Sequence, residues 1–158
     1  MFDDSDHATD ETTRRSRTGY FIYVNSELVN WLSKKQATIA TSVFGAEFVA
    51  MKQGMEAVRG LSYKLRMIGV WISDPPYGYG LNMLVIHNTQ RPESTLRKKS
   101  NSIYYHAVRE LVAMGESLTG HIPTSENCAD LATNIIPGGQ KRDHLMGKLL
   151  FDIVDWCQ

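Results

Sequence analysis

The stretch Ala40-Thr-Ser-Val-Phe-Gly-Ala-Glu47-Phe-Val-Ala-Met51 decides how the rest of the chain is read: a hydroxyl-bearing start opens a long apolar helix, and one acid, Glu47, sits in its second turn. From Phe44 the apolar residues recur as Phe44, Phe48, Met51, Met55, Val58, Leu61, Leu65 and Ile68, steps of three and four that mark one face of a helix about seven turns long. Such a face belongs on a sheet. A second stripe, of small residues, holds Ala50, Gly54 and Ala57, and Glu47 stands at its head, one turn before Ala50. Small residues permit close backbone approach, which turns Glu47 toward the sheet edge. The same position reads equally as an acid favoured by the helix dipole. Thr41 or Ser42 supplies the N-cap, and Gly45 at the third helical position rules out a capping box.

At 158 residues the chain is one domain by size, with apolar content sufficient for a core. Seventeen basic and seventeen acidic residues cancel, so any binding to nucleic acid must come from local patches. Cys128 and Cys157 have no metal or redox spacing and fit a reducing compartment as free thiols. The chain has no recognisable signal peptide, no apolar run near the length of a membrane span and no N-glycosylation acceptor. These features point to an intracellular protein without a membrane partner.

The first eleven residues hold Asp3, Asp4, Asp6, Asp10, Glu11 and His7, which composition alone reads as a solvated tail before it reads as a cation site. Thr18–Val24 and Glu27–Ser33, joined by Asn25-Ser26, form a hairpin that Lys34-Lys35 closes. Two prolines and two glycines make Ser73–Gly80 a loop, with a short strand around Tyr77 to Leu81. Arg91 to Glu116 is mostly helical after the basic run Arg97-Lys98-Lys99, and Gly115 ends it. Ser117–Ile122 is strand-like and stops at Pro123; Thr124 or Ser125 caps a helix from Glu126 to Asn134. Pro137-Gly-Gly139 breaks that helix, and a last one carries Leu145, Leu149, Ile153 and Trp156. The sum is an α/β mixture with one sheet.

Six blocks, in order, carry a resemblance. Asp4-Ser-Asp-His-Ala8, Arg15-Ser-Arg-Thr-Gly-Tyr20, Trp31-x-Ser-Lys-Lys-Gln36, Ala46-Glu-Phe48, Tyr105-His-Ala-Val-Arg-Glu110 and Pro123-Thr-Ser-Glu-Asn-Cys-Ala-Asp-Leu-Ala-Thr133 resemble the ribonuclease H domain of Ty1/copia-type retrotransposon polyproteins. The resemblance covers nearly the whole chain. It implies a ribonuclease H-like fold, a five-stranded mixed sheet flanked by helices, making 1–158 a single domain within a longer Pol polyprotein. It also implies endonucleolytic cleavage of the RNA strand of RNA–DNA hybrids, with a reverse transcriptase domain of the same polyprotein as partner and the cytoplasm or retrotransposon particle as location. In that family four acids hold two divalent cations, usually Mg²⁺ and otherwise Mn²⁺, since two metals about 4 Å apart must bind the scissile phosphate and activate a water. The first acid matches Asp4 on the central strand, the second Glu47 on the long helix and the fourth Asp130 after Pro123; these three are the implied catalytic and metal-holding residues.

The third acid should end the strand after the Pro-Gly loop, and there this chain has Leu81, in Leu81-Asn-Met-Leu-Val85. Leucine ligates no cation, so the resemblance implies a surviving fold with weak or absent cleavage: losing several kcal/mol of transition-state stabilisation lowers the rate by a factor of roughly 10³ or more. Whether Asp3 or Asp6 reaches the vacancy is left open by sequence. The leucines also make Leu81 to Ile86 look like one apolar strand, which would extend the fourth strand too far. Asn134 stands where the family commonly has lysine. Arg97, Lys98 and Lys99 are candidate phosphate contacts, as are Arg91, Lys34-Lys35 and Arg14, Arg15 and Arg17, although charge runs are more often solvated surface. His106 and His121 are isolated and read as structural, Trp31 and the tyrosines of the hairpin as core or sheet-face residues. A dinucleotide loop, P-loop, G-x-S-x-G elbow and C-x-x-C pair are all missing from the sequence. Two classes remain: a metal-dependent ribonuclease H, and a catalytically inactive module of that fold that binds nucleic acid or packs against a polymerase domain.

Overall fold

The computed structural model describes residues 1–91 and 102–149. A five-stranded sheet in the order β3-β2-β1-β4-β5 is built from β1 (Phe2–Ser5), β2 (Arg17–Val24), β3 (Glu27–Lys35), β4 (Tyr77–Gly80) and β5 (Leu118–His121). The three strands β3, β2 and β1 meander antiparallel, while β1, β4 and β5 run parallel, which makes the sheet mixed. The acidic first residues are therefore no tail. Phe2-Asp-Asp-Ser5 is the middle strand, hydrogen-bonded on both sides, as the family resemblance implied and composition did not.

Alternation along β1 divides its side chains between two faces. Met1 packs into the larger core with Tyr20, Ile22, Phe48, Met51, Met55, Val58, Val85, Tyr105 and Val108; Phe2 lies on the opposite face, beside Phe21 and Cys128. Helix α1 (Val43–Met67) covers the first face along the predicted apolar stripe, with Ser42 as its N-cap accepting from Gly45 N–H at 3.2 Å. Its small-residue stripe lies against β1: a Cβ on Gly54 would strike the side chain of Met1, so the glycine makes room for that side chain between strand and helix.

Beyond β4 the apolar residues make a helix, not a longer strand. α2 (Met83–Gln90) starts at once because Asn82 caps it, its Oδ1 accepting from Leu84 and Val85 N–H at 3.0 and 3.4 Å. The helical periodicity of Val85, Ile86 and Thr89 buries one side and leaves Met83 and Leu84 exposed. α3 (Ser102–Ala113) ends where predicted, at Gly115 with φ 68°, whose N–H donates to Val112 C=O while Glu116 N–H reaches Leu111 C=O. The expected helix from Glu126 to Asn134 is shorter: only α4 (Asp130–Thr133) forms, and neither Thr124 nor Ser125 caps it. Asn127 takes over, because its buried amide donates to Asp3 C=O at 2.8 Å and accepts from Ala129 N–H at 3.1 Å, tying the turn to β1. α5 (Gln140–Gly147) follows the Pro-Gly-Gly break and buries Leu145; Ile153 and Trp156 lie outside the described residues.

Candidate active site

Asp4 sits on the α4 face of β1, opposite Gly19 of β2. That glycine is required: a Cβ there would lie 2.8 Å from Ala132 Cβ and from Thr133 Cγ2 and 3.0 Å from Ala129 C=O, so α4 is seated directly on it. Seating α4 there brings Thr133, whose hydroxyl donates to Asp4 Oδ2, and Asp130, whose charge acts on Asp4. From the other face of the sheet α1 delivers Glu47. Buried Gln36 fixes the start of that helix, donating to Thr18 Oγ1 at 3.1 Å and to Ala46 C=O at 3.0 Å, the peptide immediately before Glu47.

Asp4, Glu47 and Asp130 are 2%, 6% and 4% exposed, and they arrive from three separate elements. Glu47 is pushed up to about 9, first by burial and then by the charges of Asp4 and Asp3. Burial raises Asp4 too, with Thr133 holding it down and Asp130 adding to the rise. Asp4 and Glu47, two buried carboxyls from strand and long helix with Asp4 acting on Glu47 and Asp130 acting on Asp4, make a poor stability device. They fit a place where positive charge is bound.

No protein-family model matches the chain. Over 84% of its length it is 27% identical to the retrovirus-related Pol polyprotein from transposon RE2 of Arabidopsis thaliana, and over 86% it is 28% identical to that from transposon TNT 1-94 of Nicotiana tabacum. The matched part is only 9% and 10% of those polyproteins, so the chain spans about a tenth of the relatives' length. Its homologues are thus Pol polyproteins of copia-type transposons. RNase H1 from the halophilic archaeon Halobacterium salinarum superposes with a TM-score of 0.61 at 14% identity, covering 84% of this chain and 91% of that one. LC11-RNase H1 in complex with an RNA/DNA hybrid gives 0.64 at 13% identity, covering 84% and 91%. The fold is that of ribonuclease H.

In this ribonuclease H-like domain position 81, where the family resemblance implies a third acid, follows Gly80, the last residue of β4, at the same sheet end as Asp4 because β1 and β4 run parallel. Leu81 stands there, half-buried, between the strand and the Asn82 cap. Arg97, Lys98 and Lys99 lie outside the described residues. Of the other basic candidates, Arg91, Arg14 and Arg15 are exposed, Arg17 Nη1 donates to Ser33 Oγ at 3.2 Å, and Lys35 pairs with Asp10. Trp31 is 65% exposed, on the outer strand of the sheet and not in a core. His106 and His121 are exposed, on α3 and at the end of β5.

The sequence did not reveal Lys141, whose ammonium pairs with Asp130 Oδ2 while Asn134 Nδ2 donates to Oδ1 at 2.6 Å. Position 134, where the family commonly has lysine, is asparagine in this chain; the cation on Asp130 comes from α5, across the Pro-Gly-Gly turn. Among the described residues no three acid, histidine or cysteine side chains are drawn into a ready metal cage. The donor chemistry nevertheless suits a hard cation: the acids offer only oxygen, and both carboxylate oxygens of neighbouring Asp3 are buried without a hydrogen-bond partner. Among the described residues no helix is long and apolar enough to cross a membrane.

Proposed function

We propose that this chain is the ribonuclease H module of a copia-type retrotransposon polyprotein, an endonuclease domain for the RNA strand of RNA–DNA hybrids, with Asp4, Glu47 and Asp130 as its catalytic, cation-holding acids. One observation carries the reading: buried Asp4 on β1 feels the charge of Asp130 on α4 and in turn acts on buried Glu47 on α1, at the end of a ribonuclease H-type sheet. The likeness to an RNase H1 found in complex with a hybrid supports the substrate class.

Divalent cations, Mg²⁺ or Mn²⁺, would supply Lewis acidity and an activated water when bound. The chain's own residues do the rest. Asp4, oriented by Thr133, and Glu47, reaching in from α1, hold positive charge from the two faces of the sheet, and Asp130 completes the set from α4. Leu81 withholds the fourth carboxylate, and on transition-state arithmetic a lost ligand worth several kcal/mol lowers the rate by about 10³. The remainder of the polyprotein, a reverse transcriptase domain included, would supply further hybrid contacts, in the cytoplasm or the retrotransposon particle.

A second reading, an inactive module that binds hybrid or packs against the polymerase, is favoured by the Lys141–Asp130 pair together with Leu81, since both reduce the charge available to a cation. Hydrolysis of an end-labelled hybrid in Mg²⁺ and in Mn²⁺ by this chain and by Leu81→Asp separates the two. Faster cleavage by the substituted chain supports an impaired nuclease. Equal cleavage shows that position 81 is not the missing ligand, and bound but uncut hybrid with both chains supports the inactive module.

A further inference from the structure

The C-terminal end of α1 exposes Tyr63, Met67 and Ile68, and the chain that follows exposes Val70 and Trp71, the last at 88%. An apolar run of this kind marks a surface that meets a partner. It is not a frayed end. Gly69, at φ 85°, closes the helix: its N–H donates to Arg66 C=O at 3.0 Å and Val70 N–H donates to Leu65 C=O at 2.9 Å, a Schellman stop that fixes how the chain leaves. Further on the segment is pinned again, with Pro76 C=O accepting from Leu118 N–H at 2.9 Å and from Ser117 Oγ at 3.0 Å. Trp71 is therefore held out into solvent by backbone anchored on both sides. Beside it a cleft of about 290 Å³ opens between α1, residues 72–76 and the end of α3, with Tyr63, Arg66, Asp74, Pro75 and Met114 in its walls. Arg66 and Ile72 border both this cleft and the hollow lined by Val70 and Trp71, so protruding ring and cleft share one surface. An indole needs apolar walls, gains from a guanidinium over its face and needs an acceptor for its N–H. Pro75 with Met114, Arg66 and the Asp74 carboxylate supply these in turn, yet Trp71 of the same chain does not fill the cleft.

We propose that this surface is a self-association site: two copies of the chain pair about a two-fold axis, each seating Trp71 in the cleft of the other. A two-fold interface requires one patch to carry both halves of every contact, and here a projecting ring and a cleft that fits it stand side by side. The patch also carries both signs of charge. Pairing sets Arg66 of one copy toward Asp74 of the other, and seventeen basic against seventeen acidic residues leave no net repulsion between copies. Glu47 and Met67 stand toward opposite ends of α1, about 30 Å apart at the rise of an α-helix. The dimer accordingly leaves the candidate acids of both copies open at its outer ends. A patch centred on one tryptophan makes a small interface, so association is weak, with a dissociation constant in the micromolar range.

The test is sedimentation equilibrium from low micromolar to near-millimolar protein, with tryptophan emission followed over the same range, for the unmodified chain, Trp71→Ala and Ser62→Phe. Ser62 lines the cleft, and a phenylalanine there blocks it while leaving Trp71 in place. The unmodified chain should pass from monomer to dimer with a blue shift of emission along the same curve, and each variant should weaken association roughly tenfold or more. Mixed in equal amounts, the two variants should form more dimer than either alone, because Trp71 of Ser62→Phe still enters the open cleft of Trp71→Ala. Trp71 is exposed, so its variant should keep the melting temperature of the dilute unmodified chain. A chain that stays monomeric at the highest concentration overturns the proposal and leaves the patch to another domain of the polyprotein. A dimer that neither variant weakens places self-association elsewhere and overturns it too. Weakening by Trp71→Ala but not by Ser62→Phe overturns the seating in the cleft.

Discussion

Glu47 carries a carboxyl that burial, Asp4 and Asp3 push up to about 9, far above its value in an unfolded chain. The cation-free fold therefore binds a proton that the unfolded chain has released over the interval from about 4.5 to about 9, and stability falls as pH rises through that interval. Asp3 and Asp4 are raised as well and act in the same direction. Melting temperature measured in chelator should accordingly drop between pH 5 and pH 9, and Glu47→Gln should flatten the drop without removing it; an unchanged slope in the variant would mean that Glu47 is not held protonated in the fold. Lys141 gives a second residue-scale expectation. Its ammonium neutralises a carboxylate whose side chain is only 6% exposed, so Lys141→Met leaves that charge unpaired and should lower the melting temperature of the cation-free domain. The same change removes a competitor for Asp130, and calorimetry should find Mn²⁺ bound more tightly than by the unmodified chain.

At the scale of elements, the acids are placed by close approaches. Gly19 is the clearest: Ala at this position puts a methyl into Ala132 and Thr133, and overpacking of this kind costs about 1–3 kcal/mol. Gly19→Ala should lower stability by that amount in denaturant unfolding and, by lifting α4 off β2, should also weaken cation binding through displaced Asp130 and Thr133. A loss of stability with untouched binding would show that α4 does not position the site. Helix α1 was legible from sequence because twenty-five residues of sustained periodicity and a serine cap agree with each other. Strand β1 was not, since four residues with two acids look solvated until the sheet closes on both sides of them; only the ordered motifs placed Asp4. α2 was missed for a related reason. Its apolar run is short, and length did not separate a buried helix from a strand, while the decisive signal was the Asn82 cap, a single side chain. The long helix expected before Asn134 shrank to α4 because Asn127 spends its amide on β1 instead of letting the chain coil earlier.

For the whole molecule, the sheet order and the arrival of acids from both of its faces agree with the ribonuclease H fold, and the homologues are parts of much longer Pol polyproteins. The acids that matched the family motifs, Asp4, Glu47 and Asp130, were readable as residues. Their surroundings were not: Asp3 behind Glu47 and Lys141 on Asp130 come from chain segments joined only by folding, and no spacing announces them. Leu81 stood out in the sequence only as a departure from the family motif, and it lies half-buried just after β4. The most direct measurement is single-turnover cleavage of an RNA–DNA hybrid in Mn²⁺ in the Leu81→Asp background, comparing that chain with versions that also carry Asp4→Asn, Glu47→Gln or Asp130→Asn. The account predicts RNA-strand cleavage by Leu81→Asp and a loss of about a hundredfold or more on removal of any one of the three acids. Cleavage that survives removal of all three, each tested singly, would contradict it.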